Sequence, residues 1–140
     1  MESTSKILTG ADSTALAEAA AAVLIEKKGL DVRLYEVGEE NPITDYYINV
    51  TGRSLTQVAA LADEVVFKLS EQGVDATRVE GKRGNAWILV GYGNVIVNVF
   101  DKESREFYNL DRLMPAGSEK DISAIVALVD AKLKINNTEE

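Results

Sequence analysis

A chain of 140 residues is the size of one ordinary domain, and 46% hydrophobic with 27% charged residues is the composition of a folded globular protein. The formal net charge of −8 argues against electrostatically driven nucleic-acid binding, which needs clustered Lys and Arg; it would suit a basic protein partner, but solubility alone also explains it and is the favoured reading. Cysteine and histidine are both absent, which excludes disulfides, thiolate metal sites, cysteine nucleophiles and Ser-His-Asp triads.

Residues 1–12 are polar and read as a flexible N-terminal arm. Met1 to Lys6 lacks the basic-then-apolar plan of a signal peptide. The longest apolar run, Ala19 to Ile25, is too short to span a bilayer, so a cytoplasmic location is expected. Ser13 is placed to cap a helix running to about Lys28. Leu16, Ala20, Val23, Leu24 and Lys27 fall on one stripe of it, and Gly29 is its stop.

Two strands follow, over Asp31 to Gly38 and Asp45 to Thr51. A two-residue period sets Val32, Leu34, Tyr46, Ile48 and Val50 against Arg33, Tyr35, Tyr47, Asn49 and Thr51. Ser54 and Gln57 form a capping box that opens a second helix, in which Val58, Leu61, Ala62, Val65, Val66 and Leu69 share a face and which Gly73 ends. A short strand near Ala76 to Val79 leads to a hairpin, Ala86 to Phe100, broken at Gly91-Tyr92-Gly93-Asn94. Its second run sets Val95, Val97 and Val99 on a core face opposite Asn94, Ile96, Asn98 and Phe100. Three strands thus pair an aliphatic face with a polar-aromatic one, which predicts helices mainly on one side and a partly wet surface on the other.

Asp101 caps a short helix over Lys102 to Tyr108, and Asn109 to Met114 adds a further turn. After the break at Pro115 to Gly117, Ser118 is placed to cap a last helix in which Ile122, Ile125, Val126, Val129 and Leu133 share a face. The fold class is α/β, with a mixed sheet of about five strands. The expected organisation is the arm 1–12, a domain 13–114 and a C-terminal helical extension 115–140.

The strand-to-helix turn Thr51-Gly52-Arg53-Ser54 is the best enzymatic candidate, because such a turn can present backbone N–H groups to a phosphate. Metal-dependent nucleotidyltransferases use a turn of this sort, but they also need two acidic residues spaced by one on the following strand. Here that strand reads Ala76-Thr-Arg-Val-Glu80. Capping explains Ser54 without a ligand. Arg105 and Arg112 alternate with Asp101, Glu103, Glu106 and Asp111, which reads as local surface pairing. Trp87, Tyr92, Phe100, Phe107 and Tyr108 each read as core, but as a set beside a half-wet sheet face they also fit an interaction surface.

Several segments together resemble the ribosomal silencing factor family, also called Iojap. They are Ile43-Thr-Asp-Tyr-Tyr47, Thr51-Gly-Arg-Ser54, Ala62-Asp63, Val79-Glu-Gly81, Trp87-Ile-Leu-Val-x-Tyr92-Gly93-x-Val95-Ile-Val97 and Arg105-Glu-Phe-Tyr-x-Leu110-x-x-Leu113. The resemblance covers about residues 14 to 114. It implies a nucleotidyltransferase-like but non-catalytic fold, often a homodimer, with no catalytic residue, metal or cofactor. It also implies a translational repressor that binds large-subunit ribosomal protein fourteen and sterically blocks joining of the small subunit. The contact residues it points to are Trp87, Leu89 and Tyr92, and further Glu80. The chain departs from the family pattern at Gly91 and Asn94, where Asp is usual, at Asn98 and Gln57, where His is usual, and at Met114 in place of Trp. The readings from other classes are a metal-dependent, nucleotide-binding nucleotidyltransferase-like protein and a generic dimeric scaffold.

Overall fold

The computed structural model describes residues 8, 10, 12–38, 41–81 and 83–138. Most of the expected arm lies outside these residues, but Leu8 is buried in the core and its N–H donates to the Gln72 carbonyl. In chain order the elements are α1 (Ser13–Glu26), β1 (Leu30–Glu36), β2 (Tyr46–Gly52), α2 (Leu55–Glu71), β3 (Arg78–Glu80) and β4 (Trp87–Gly91). They continue with β5 (Val95–Asp101), α3 (Lys102–Tyr108), α4 (Leu110–Leu113), β6 (Glu119–Lys120) and α5 (Ser123–Thr138). The sheet has six strands in the order β3-β4-β5-β2-β1-β6, with β5 and β2 parallel and every other pair antiparallel.

The aliphatic face is the core. Leu34, Ile48, Val50, Ile88, Val90, Val95, Val97 and Val99 pack there against Leu16, Ala20 and Leu24 of α1 and against Val58, Leu61, Val65 and Leu69 of α2. The alanines of α1 let it lie close on the strands, and α5 packs behind α1. α2 starts as the capping box predicts, with Ser54 Oγ accepting the Gln57 N–H at 3.1 Å. The reciprocal bond is displaced by one residue, because Gln57 Oε1 accepts from the N–H of Arg53 rather than of Ser54. In α1 the cap is Asp12, one residue before the expected Ser13, and its carboxylate accepts the Ala15 N–H.

Three sequence-based expectations are corrected. The sheet has a sixth strand, formed by residues read as the start of the last helix. The turn Pro115 to Ser118 returns the chain to the edge of β1, where Glu36 donates to the Ser118 carbonyl and Glu119 and Lys120 pair with Tyr35 and Leu34. α5 therefore begins only at Ser123, whose N–H is accepted by Asp121. Second, the polar-aromatic face is not wet at its centre. Asn49 is 0%, Asn98 1% and Phe100 0% exposed, because α3 and α4 cross that side of the sheet. Third, Arg105 does not pair on the surface but turns inward beneath α3.

Candidate partner-binding surface

Strand register arranges the polar-aromatic face in two rows. One runs Glu80, Leu89, Asn98, Asn49, Arg33 across β3, β4, β5, β2 and β1; the other runs Trp87, Phe100, Thr51, Leu30. The two asparagines are thus side by side. Their amides are satisfied by each other and by what lies above them.

Trp87 Nε1 donates to Asn98 Oδ1 at 3.0 Å, Asn98 Nδ2 to Asn49 Oδ1 at 3.1 Å, and Asn49 Nδ2 to Asp111 Oδ1 at 3.1 Å. Asp111, on α4, also accepts from the Tyr35 hydroxyl at 2.7 Å and from Arg105 Nε at 2.9 Å and Nη2 at 3.2 Å. The remaining guanidinium nitrogen, Nη1, donates to the Asp31 carbonyl at 2.8 Å and to Thr51 Oγ1 at 3.0 Å. A continuous chain of charge-assisted and amide hydrogen bonds therefore runs from a buried arginine to the indole, with every link within normal hydrogen-bond distance.

That chain fixes the angle of Trp87, which is half-buried at the sheet surface. Its ring lies 5.1 Å from Phe100 below and 4.7 Å from Tyr108 beside it, and Tyr108 meets Phe107 edge-on at 5.0 Å. Asp101 caps α3 through the Ser104 N–H, and Asn109, at φ +50°, ends it and redirects the chain into α4. Phe107 is left 78% exposed, with Leu113 nearby in sequence also largely exposed.

Of the predicted contact residues, Trp87, Leu89 and Glu80 come together, and with Gly81 they line a shallow hollow of about 250 Å³. Gly81 has φ +92°, and a Cβ there would lie 2.0 Å from the Trp87 carbonyl oxygen, so the turn admits only glycine. Glu80 is exposed and pairs with Arg78 at 2.8 Å. Tyr92 is not on this surface. It follows Ile88 and Val90 on the core side, is 8% exposed, and its buried hydroxyl has no hydrogen-bond partner. Burial raises its pKa.

Tyr108 and Phe107, outside the expected contact set, join Trp87 on this face. Both fall in the aromatic set that the sequence already singles out. Among the described residues, no three Asp or Glu side chains gather where they could hold a metal ion.

The model of the family described as "Ribosomal silencing factor during starvation" matches residues 10–140, including the segment after Pro115. The chain belongs to this ribosomal silencing factor family. It is 34% identical over 94 residues to ribosomal silencing factor RsfS of Bacillus subtilis (strain 168), covering 67% of this chain and 80% of that one. It is 36% identical over 86 residues to the RsfS of Haemophilus influenzae, covering 61% and 84%. The crystal structure of protein CV0518 from Chromobacterium violaceum superposes with a TM-score of 0.72 at 32% identity, over 79% of this chain and 90% of that one.

The positions at which the resemblance leads one to expect other residues fall in different places. Gly91 and Asn94 lie at the end of β4 and in the hairpin turn. Asn98, in contrast, is the buried acceptor for the Trp87 indole. The identity of residue 98 therefore bears on how the tryptophan is held.

The same network sets a pH dependence. Burial alone would raise the Asp111 carboxyl, but hydrogen bonds from Arg105, Tyr35 and Asn49, and the Arg105 charge, outweigh it and lower the pKa. A carboxylate with a depressed folded pKa gives stability that is complete above its unfolded value and lost as pH falls through the folded one. Tyr35 is pushed up to about 12, first by burial and then by its bond to Asp111. A raised phenol stabilises below its ordinary value and loses that contribution as pH rises through its folded pKa. Thermal melts should therefore be flat near neutrality. They should fall in acid below the ordinary carboxylate pKa of about 4, and again above about pH 10, with Asp111→Asn flattening the acid limb. An acid limb unchanged in Asp111→Asn would assign it to other carboxylates.

Proposed function

We propose that this chain is a translational repressor. It binds the large ribosomal subunit through large-subunit ribosomal protein fourteen and sterically blocks joining of the small subunit. The observation that carries the reading is an aromatic surface in which half-buried Trp87, held on the sheet by buried hydrogen bonds, stands beside the exposed Tyr108 and Phe107 of α3, in a member of the ribosomal silencing factor family. Rigid aromatic groups supply affinity at low entropic cost, and the net charge of −8 steers the chain toward a basic partner. No turnover is required. Ser54 and Gln57 are occupied at the start of α2, which suits a nucleotidyltransferase-like fold used without catalysis. Cytoplasmic location and a homodimer belong to the same proposal.

The experiment is sedimentation with isolated ribosomal subunits. The protein is expected to travel with large subunits, to be missing from joined ribosomes, and to lower the yield of joined ribosomes when added first. Binding to joined ribosomes as well as to free large subunits would reject the steric mechanism.

A further inference from the structure

β2 and β5 are parallel neighbours and end at the same edge of the sheet, at Gly52 and Asp101. From there the chain leaves in opposite directions. β2 leads to α2 on the core face, and β5 leads to α3 on the polar-aromatic face. Neighbouring parallel strands whose connections part to opposite faces leave a crevice beyond their carboxyl ends, where open α/β sheets bind ligands. The crevice is present here. It is a cleft of about 670 Å³ whose walls include Leu30, Gly52, Arg53, Lys102, Arg105 and Asn109, and it is much larger than the hollow at Trp87.

Its charge runs against that of the whole chain. The lining cations are Arg33, Arg53, Lys102 and Arg105. Arg33 is matched by Asp31 at 3.0 Å and Arg105 by Asp111 at 2.9 Å. Arg53 and Lys102 have no carboxylate partner among the described residues. Arg53 is nonetheless held in place, because its Nη1 donates to the Lys28 carbonyl at 2.9 Å, which orients the guanidinium without neutralising it. A Cβ on Gly52 would lie 2.9 Å from the Val58 nitrogen, so glycine here lets α2 start close against the end of β2. On α3, Glu106 adds a carboxylate that can accept from hydroxyl or amino groups.

We infer that this cleft binds a nucleoside phosphate, with Arg53 and Lys102 on the phosphates and Glu106 accepting from a hydroxyl or amino group of the nucleoside. A bare phosphate would leave most of the volume empty, whereas ligand pockets of roughly 300–1,000 Å³ hold molecules of nucleotide size. Two unneutralised cations of different geometry suit a multiply charged phosphate chain better than a single carboxylate. None of Trp87, Phe107 and Tyr108 lines the cleft, although Arg105 and Asp111 belong both to it and to the network that holds Trp87, so nucleotide binding is read separately from ribosome binding.

The test is a nuclear magnetic resonance titration of the full chain at constant ionic strength with ADP, inorganic pyrophosphate and adenosine. Saturable shifts of the Gly52, Arg53, Lys102 and Asn109 amides are expected with ADP, weaker ones with pyrophosphate, and none with adenosine. The exposed pair Arg53→Gln and Lys102→Gln should weaken ADP by roughly tenfold or more, with Lys102→Gln alone as the variant that leaves the Lys28 contact intact. Trp87→Ala should leave ADP affinity unchanged. Absence of saturation with ADP would overturn the inference, as would adenosine binding as well as ADP, or equal affinity in the double variant. Stronger shifts from an RNA oligonucleotide without a terminal phosphate would reassign the cleft to nucleic-acid backbone.

Discussion

Trp87→Ala should weaken binding to the large ribosomal subunit by about 2–4 kcal/mol, or roughly thirtyfold and more, because aromatic anchors of this kind dominate interface energies. The effect on folding is smaller but real. The substitution removes the contacts with Phe100 and Tyr108 and leaves Asn98 Oδ1 buried without its donor, at about 1–3 kcal/mol. Trp87→Phe separates the two contributions, since it keeps most of the ring packing and loses only the indole N–H. Its binding should lie between those of the parent and the alanine variant. Quantitative sedimentation with isolated large subunits, alongside melting curves, measures both. If Trp87→Ala melts cooperatively and binds as tightly as the parent, the aromatic surface is not the interface.

Asp111→Ala is expected to be the most destabilising single change on the polar-aromatic side. Its carboxylate is the shared acceptor for Arg105 Nε and Nη2, Tyr35 and Asn49, and the Arg105 side chain is only 9% exposed. Removing Asp111 leaves Arg105, in a poorly solvated place, with only the half-exposed Asp31 carboxylate 3.6 Å from Nη2, and costs about 3 kcal/mol, the lower end of the range for breaking a buried pair. Against a total of about 5–15 kcal/mol for an ordinary domain, that is a large fraction. Replacing both partners by apolar groups, as Arg105→Met with Asp111→Leu, should recover only part of the loss, because the desolvated charge disappears with its partner while Tyr35 and Asn49 still lose their acceptor. Urea unfolding of the three variants decides the matter. A loss below about 1 kcal/mol for Asp111→Ala would mean that water reaches Arg105 and the pair behaves as a surface one. The same variant should also bind large subunits less well, since Asp111 ties α4 to the sheet directly beyond Tyr108.

Much of this architecture could be read from residue spacing. Alternation through Val95, Val97 and Val99, and through Tyr46, Ile48 and Val50, identified the core face, and Ser54 and Asp101 marked two helix starts. The state of Asn49 and Asn98 was not legible. Their burial depends on β2 and β5 being parallel neighbours in a register that sets the amides together, and on Asp111, 62 residues from Asn49, closing the network. Arg105 was hidden for the same reason, since an arginine among acidic neighbours on a short helix looks solvated until its long-range partners are known. β6 escaped because a two-residue strand carries no period, and Ser118 before a helical pattern reads as a cap. Tyr92 is the opposite case. Taken singly it reads as core, as the structure has it, and both its membership of the aromatic set and the family resemblance moved it to the surface.

The two-residue strand has a bearing on how copies of the chain can meet. By pairing with Leu34 and Tyr35, β6 occupies part of one free edge of the sheet. The other edge is the three-residue β3, whose ends are charged and joined by the Arg78–Glu80 ion pair. Short, charged or covered edges resist the addition of strands from another molecule. Little backbone is left at either edge for strand addition, which favours side-chain surfaces for any contact between copies. A chain cut before Ser118 would lose that protection, and the bared backbone of β1 would become a template for edge-to-edge aggregation.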